Sequence, residues 1–321
     1  MRLTVTVKSR YDETMNLSNE ISVVIPVYRS EQTLNELVSR VSNALQNHEY
    51  EIILVDDASG DESWTTICSI AGQNSMVTGI RLGRNSGQHG ALLAGVRAAK
   101  FQTVVTIDDD LQNPPEEIHK LLGALVPGVD VVYGVSTEVK QNFYRRAGSK
   151  LVRKFFASAL QFNSAVSMSS FRTFRTALRE GFNTALGPNV SLDALLTWST
   201  TRFTVVEVKH DERKVGNSNY TFRKLVRFMI DMATGYSALP LRLASALGFL
   251  TIAFGAVLLA YVIGRPILTG ERVQGFPMLA STIIIFSGVQ IFLLGILGEY
   301  IGRMHFRVMN KPTYMVAETT V

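Results

Sequence analysis

Two stretches without a charged side chain constrain this chain more than any other feature. Residues 243–264 and 273–298 carry no Asp, Glu, Lys or Arg, and each exceeds the roughly 20 residues with which a helix crosses a bilayer. They predict two transmembrane helices, over about 243–264 and 275–298. The connection from Arg265 to Arg272 is short and holds Pro266 and Gly270, so the pair reads as a hairpin that returns the chain to its starting side. Arg242 precedes the first run and Arg303, Arg307 and Lys311 follow the second, against Arg265, Glu271 and Arg272 in the connection. The positive-inside rule then sets both termini and everything before the hairpin in the cytoplasm. The competing reading is a helical hairpin buried in a soluble core. Residues 1–20 are polar and lack the apolar segment of a signal peptide, so they read as a tail on a domain that is not exported. This divides the chain into a tail (1–20), a catalytic-size domain (21–236), the hairpin (237–302) and a cytoplasmic C-terminal tail (303–321).

The remaining composition narrows the partners. Charged residues make up 18% of the 321, below the roughly 25% of an average soluble domain. Lys and Arg number 32 against 27 Asp and Glu, a net charge of +5, which suits either nucleic acid or an anionic membrane surface. The location of the charge favours the membrane. Arg145, Arg146, Lys150, Arg153 and Lys154 alternate with Leu151, Phe155, Phe156 and Leu160 in 144–162, and Arg223, Lys224 and Arg227 lie in the similar segment 220–236. Both read as amphipathic helices for the headgroup layer, and no basic stripe with stacking aromatics points to nucleic acid. The single cysteine, Cys68, excludes an intramolecular disulfide and a Cys-based zinc site, and is expected to be a small core residue.

Ahead of the hairpin, strand and helix patterns alternate. The β-branched runs 21–27, 51–56, 78–82, 103–107 and 129–133 are separated by helix-period segments, the first at Leu34, Leu37, Val38, Val41 and Leu45. This predicts an α/β domain with an open, mostly parallel, Rossmann-like sheet. Such sheets bind ligands beyond the carboxyl ends of their strands. Two of those ends are acidic: Asp56-Asp57-Ala58-Ser59-Gly60-Asp61 and Asp108-Asp109-Asp110-Leu111-Gln112-Asn113. Carboxylates this dense repel unless a cation joins them. A divalent ion held by Asp110 and Gln112, with Asp108 close by, would relieve the repulsion and bridge phosphate oxygens of a nucleotide, and oxygen ligands favour Mg2+ or Mn2+. The alternative is helix capping by Asp61 and Asn113. The dinucleotide fingerprint and the P-loop are both missing from the sequence, which disfavours a nicotinamide dehydrogenase and a P-loop NTPase.

Together, residues 21–31, 55–61, 85–90 (Asn85-Ser86-Gly87-Gln88-His89-Gly90) and 108–117 resemble the family 2 glycosyltransferases of GT-A fold. With the hairpin included, the resemblance extends to about residue 312 and is to the polyprenyl-phosphate glycosyltransferases within that family. It implies that Asp57, with Asp56 beside it, reads the nucleotide base in a pocket lined by Pro26, Tyr28 and Glu31. Asp108 and Asp110 become the Asp-x-Asp pair of the donor site beside Asp109, and Gln112 completes the metal shell. Ser169-Ser170-Phe171-Arg172-Thr173-Phe174 is similar to a family segment in which Arg172 meets phosphate, and Arg213-Lys214-Val215-Gly216-Asn217-Ser218-Asn219-Tyr220 to a phosphate-binding loop. Asn219 stands where the family usually has Lys, which leaves Arg213 or Lys214 to supply the positive charge.

The expected activity is an inverting, metal-dependent transfer of a sugar from a nucleotide sugar, UDP favoured over GDP, to polyprenyl phosphate at the cytoplasmic membrane face. Arg213 would offset charge on the leaving nucleotide. Arg145, Arg146, Lys150, Arg172, Lys214 and Ser218 are the acceptor-phosphate candidates, and related enzymes suggest a homo-oligomer. Rival readings are a family 2 transferase extending a lipid-linked glycan and a membrane-anchored sugar-nucleotide-binding protein without turnover.

Overall fold

The computed structural model describes residues 20–136, 169–182, 190–211, 239–269, 275–309 and 311–320. The chain divides into two compact units, Met1–Asn219 with Lys311–Val321, and Tyr220–Asn310.

The first unit is built on β1 (Glu20–Val27), buried from Ile21 onward. A strand covered on both faces needs an unbroken apolar run, and this one splits its side chains between two layers. Ile21, Val23, Ile25 and Val27 pack with Leu34, Leu37, Val38 and Val41 of α1 (Leu34–Ala44), while Val24 faces Leu92, Leu93 and Val96 of α3 (Gln88–Ala98). β2 (Glu49–Asp56) and β3 (Val77–Leu82) extend the sheet on one side of β1 and β4 (Thr103–Thr106) on the other, all parallel. Beyond β4 come β6 (Arg172–Arg175), β5 (Val131–Ser136) and β7 (Phe203–Val208). The order is β7-β5-β6-β4-β1-β2-β3-β8. β6 is antiparallel to both of its neighbours, and β8 (Val316–Thr319) lies antiparallel on β3. The mostly parallel α/β sheet is as expected.

After β6, α5 (Leu192–Ser199) forms where Ser191 caps the first turn by accepting from Ala194 N and Leu192, Leu195 and Leu196 are buried at helical spacing. After the acidic loop the chain makes a 3-10 turn, Pro115–Glu117, before α4 (Ile118–Ala124). Several local readings change. Cys68 is exposed on α2 (Ser63–Gln73) because Ile67 and Ile70 take its core face. Neither Asp61 nor Asn113 is the N-cap of its following helix, those positions being Glu62 and Pro114: Asn113 Oδ1 lies 3.4 Å from His210 Nδ1, and Asp61 Oδ1 accepts from Ser63 N at 3.3 Å. Within the expected C-terminal tail, Val316–Thr319 is the edge strand β8 instead.

The second unit contains α6 (Leu239–Thr269, 31 residues) and α7 (Gly275–Val308, 34 residues). Pro240–Arg265, with mean hydropathy 2.4, and Ile285–Gly302, at 1.6, are long and apolar enough to cross a membrane, and neither window is buried. Phe249, Leu250, Ile252 and Phe254 on α6 and Ile291, Phe292 and Leu294 on α7 are exposed. The expected amphipathic segments, 144–162 and 220–236, lie outside the described residues.

Candidate active site

Parallel pairing of β1, β2 and β4 brings their carboxyl ends to one rim, and the loops that follow carry the acids. Arg29 (φ 57°), Ala58 (φ 53°) and Leu111 (φ 58°) are the non-glycine residues with positive φ among the described residues, one in each of those loops. Left-handed backbone at ordinary residues costs energy and persists where the surroundings enforce it, as they do at binding sites.

The enforcement here is a set of cross-loop hydrogen bonds. Asp109 Oδ2 accepts from Tyr28 N at 3.0 Å and from Ser30 Oγ at 2.5 Å, and Thr33 Oγ1 donates to the Asp109 carbonyl at 2.7 Å. Arg29 N donates to Ser59 Oγ and Ser30 N to Ser63 Oγ, each at 3.0 Å, and Glu31 Oε2 accepts from Glu62 N at 3.0 Å. Asp109 and Glu31, expected to line a donor pocket, therefore brace the loops. Burial pushes the Asp109 carboxyl up to about 6 against its hydrogen bonds. Pro26 is buried in β1 opposite Val55, whereas Tyr28 stays exposed with the Arg29 guanidinium 5.3 Å from its ring centre.

Asp57 is buried, and both of its oxygens hold the β3–α3 loop, accepting from Ser86 N at 2.6 Å and Gly87 N at 2.9 Å. Gly87 takes φ 79° there, a conformation that glycine adopts freely. Burial raises the Asp57 carboxyl to about 6, the two amide hydrogen bonds opposing and Asp56 adding to the rise. Asp56 is fully buried, with Oδ1 accepting from Ser59 N at 3.1 Å.

The loop that Asp57 anchors delivers Gln88, whose Nε2 donates to Asp108 Oδ1 at 2.6 Å, while Ser170 Oγ donates to Oδ2 at 2.5 Å. Asp108 is thus gripped on both oxygens. Burial, then the charge of Asp110, raise its pKa against those two hydrogen bonds and Arg172. Asp110 is partly exposed and turns back to accept from Gln112 N at 3.2 Å. The chain after β7 is tied to the same loop: Asp211 N donates to the Gln112 carbonyl at 2.8 Å, and Lys209 N to Glu117 Oε2 at 3.1 Å. Among the described residues no three His, Cys, Asp or Glu side chains gather around one point. The described residues therefore form no all-protein cage, and they fit a hard divalent cation that takes one or two carboxylates and completes its shell with phosphate oxygens and water. Repulsion between Asp108 and Asp110 is the feature such an ion would remove.

Arg172 departs from its expected role. It is 1% exposed, its guanidinium pairs with Asp193, its Nε donates to Thr106 Oγ1 at 3.1 Å, and it lies 5.8 Å from the centre of the Tyr133 ring. Tyr133 also donates to Asp193, at 3.0 Å. With its charge already matched in the interior, Arg172 braces the floor beneath Asp108 and does not present itself to a phosphate. His89 joins this region, accepting from Leu192 N at Nδ1 (3.3 Å), and burial holds its pKa below the ordinary value. Arg145, Arg146, Lys150, Arg213, Lys214 and Ser218 lie outside the described residues. The grips on Asp108 by Gln88 and Ser170 depend on the tertiary fold, although both residues sit inside the segments 85–90 and 169–174 that resemble family motifs.

Residues 22–184 match the model of glycosyl transferase family 2. This chain belongs to that family. As a family 2 glycosyltransferase it is 35% identical over 305 residues to the undecaprenyl-phosphate 4-deoxy-4-formamido-L-arabinose transferase of Pseudomonas fluorescens Pf-5, covering 92% of this chain and 89% of that one. The protein of the same name from Aeromonas hydrophila is 36% identical, covering 92% of each chain. Among solved structures, glucosyl-3-phosphoglycerate synthase of Mycobacterium tuberculosis, in complex with Mn2+, UDP and phosphoglyceric acid, aligns with a TM-score of 0.51 at 19% identity, covering 67% of this chain and 76% of that one. The glycosyltransferase sheet therefore shares its fold with that synthase.

Proposed function

We propose that this glycosyltransferase moves a sugar from a nucleotide sugar, a UDP-sugar in particular, to undecaprenyl or a related polyprenyl phosphate. The transfer takes place at the cytoplasmic face of a membrane crossed by α6 and α7, with both termini cytoplasmic. The observation that carries this reading is similarity over about nine-tenths of both chains to transferases named for undecaprenyl phosphate, running through the acidic cluster and the apolar helices alike. The chain enters α6 from the first unit and returns to it after α7, as two crossings require.

In the proposed reaction, a phosphate oxygen of the acceptor attacks the anomeric carbon of the donor as the bond to the nucleotide diphosphate breaks. The leaving group departs with that electron pair, and the configuration inverts. The acceptor is already ionised at neutral pH, so no base need remove a proton. A bound Mg2+ or Mn2+ would be held by Asp110 and Gln112 beside Asp108, and would supply charge stabilisation to the departing diphosphate. The protein's own part is to fix these groups: Gln88 and Ser170 orient Asp108, and the β7 extension holds the Gln112 carbonyl. Arg213 follows Asp211 by two positions and is assigned to the leaving phosphate. Arg145, Arg146, Lys150, Lys214 and Ser218 are assigned to the acceptor phosphate, while Arg172 is withdrawn from that group. Exposed apolar side chains on α6 and α7 suit lipid and a homo-oligomer packed through the hairpin.

The test is transfer of labelled sugar from a panel of UDP- and GDP-sugars into solvent-extractable lipid, using purified protein, undecaprenyl phosphate and added or chelated Mn2+. Metal-dependent label in the lipid fraction is the expected result. Binding of nucleotide and metal without label from any donor would overturn the polyprenyl-phosphate assignment.

A further inference from the structure

The edge strand β8 reaches the donor side of the site through one row of side chains. Glu318 pairs with Arg81 across β8 and β3, and Arg81 pairs with Asp56 across β3 and β2. Registered neighbours point to the same face of a sheet, so Asp56, Arg81 and Glu318 form a line across three strands at the rim that carries the acidic loops. The distances follow that line. Arg81 Nη1 donates to Glu318 Oε1 at 3.0 Å, and Arg81 Nε lies 3.6 Å from Asp56 Oδ2. Trp64 of α2 closes the row, its Nε1 donating to Glu318 Oε2 at 3.2 Å while its ring sits 5.8 Å from the Arg81 guanidinium carbon.

Asp56 Oδ2 is buried and takes no hydrogen bond among the described residues. A buried carboxylate oxygen in that condition is costly unless a charge faces it, and among the described residues Arg81 is the cation that faces it. Arg81 is about one-third exposed, so water competes for it, and Glu318 with Trp64 fixes where its guanidinium rests. The strand that supplies Glu318 is itself firmly docked. Thr320 donates its N–H to the Gly79 carbonyl at 3.0 Å and accepts from Gly79 N at Oγ1 at 2.9 Å. A side chain at position 79 would meet Ile67 at 2.4 Å and Thr320 at 2.9 Å, so glycine is what lets the strand sit there. Gly83 N donates to the Met315 carbonyl at 2.8 Å, and Arg84 Nη2 to the Pro312 carbonyl at 3.3 Å.

We propose that Glu318 and Arg81 are positioning residues of the donor site: the C-terminal strand, through Glu318, holds Arg81 against Asp56 and so sets the turn that receives the nucleotide. This rests on the reading that the turn after β2 takes the nucleotide donor. The same strand follows the second apolar helix in sequence, so the chain that leaves the hairpin also completes the donor side.

The experiment measures UDP binding in the presence of Mn2+ by calorimetry, together with donor and acceptor KM, for the full-length protein and for Glu318→Ala, Arg81→Ala and the charge-swapped double variant Arg81→Glu with Glu318→Arg. Glu318→Ala, which breaks a solvent-exposed pair, is expected to weaken UDP binding and raise donor KM by about two- to fivefold, and Arg81→Ala, which strips buried Asp56 of its facing cation, by roughly tenfold, with a much smaller change in acceptor KM. The double variant restores the cross-strand pair and hence the docking of β8, but puts a carboxylate beside Asp56. Its UDP binding is expected to stay weak even though β8 is paired again. If the double variant regains wild-type UDP binding, or if folded Glu318→Ala binds UDP as the wild type does, the row serves only strand docking and the proposal falls. If the wild-type protein binds no nucleotide at all, the donor-site reading falls first and takes this one with it.

Discussion

Ser170 Oγ donates to Asp108 Oδ2 at 2.5 Å, joining residues 62 positions apart in the chain. The contact exists because β6 inserts antiparallel beside β4, pairing Arg172 with Thr106 and so bringing the segment before β6 alongside the end of β4. With Gln88 on the other oxygen, Asp108 can neither rotate nor take up a solvent-facing rotamer without losing a hydrogen bond.

Ser170→Ala should therefore lower kcat/KM by about tenfold, the lower end of what removal of a group orienting a metal-site carboxylate costs. The protein should remain folded. Steady-state transfer assays at saturating Mn2+ check this, and an unchanged kcat/KM would mean that Gln88 alone suffices to hold Asp108.

Asp110→Ala should abolish transfer, by roughly 1,000-fold or more, because the leaving diphosphate would lose its electrostatic stabilisation. Chelation of the wild-type protein should do the same, and added Mn2+ or Mg2+ should restore activity to the wild type and not to the variant. Full activity in chelator would remove the metal from the mechanism.

Asp57 gives a pH dependence of definite sign. Its folded pKa is about 6 against an ordinary 3.8, so between those values the folded protein keeps a proton that the unfolded chain releases. Stability from this group is accordingly greatest at low pH and declines as pH rises through that window. Function runs the other way, since a protonated Asp57 has one acceptor fewer for Ser86 N and Gly87 N, loosening the loop that carries Gln88. Donor KM should rise as pH falls below about 6, and Asp57→Asn should lose both this rise and the pH-dependent component of stability. Paired KM and urea-unfolding profiles of wild type and variant measure the difference, which cancels the parallel titration of Asp109.

The buried Arg172–Asp193 pair should behave as an interior ion pair. Asp193→Ala leaves the Arg172 charge unpaired and should destabilise the first unit by about 3–5 kcal/mol. Adding Arg172→Met should recover much of that loss, because the orphaned charge is then gone as well. Unfolding midpoints of both variants in detergent decide it, and an additive double variant would show that the pair is not coupled.

The sequence made β1 and β2, the acidic strand ends and the two apolar helices readable, since each is signalled by a run of one residue character within ten to thirty positions. It hid β6 and β8. Both are four residues long and antiparallel, and β8 pairs with a strand more than 230 positions earlier, so nothing near Val316–Thr319 announces its partner. The acids were legible as a group but not as individuals. Asp109 and Asp57 turned out to be inward braces, and only the registers of β1, β2 and β4 show which carboxylate faces which loop.

By itself the sequence determined the class of this protein: local hydrophobic period fixes strands, helices and membrane-length spans, and the acid-rich strand ends mark the rim where chemistry belongs. Tertiary structure alone decided which charges are spent internally. Arg172 has the same formal charge as any surface arginine, but Asp193, Thr106 and Tyr133 surround it in the folded chain. Electrostatic roles depend on distance and burial, and those are set by strand order and register rather than by position along the chain.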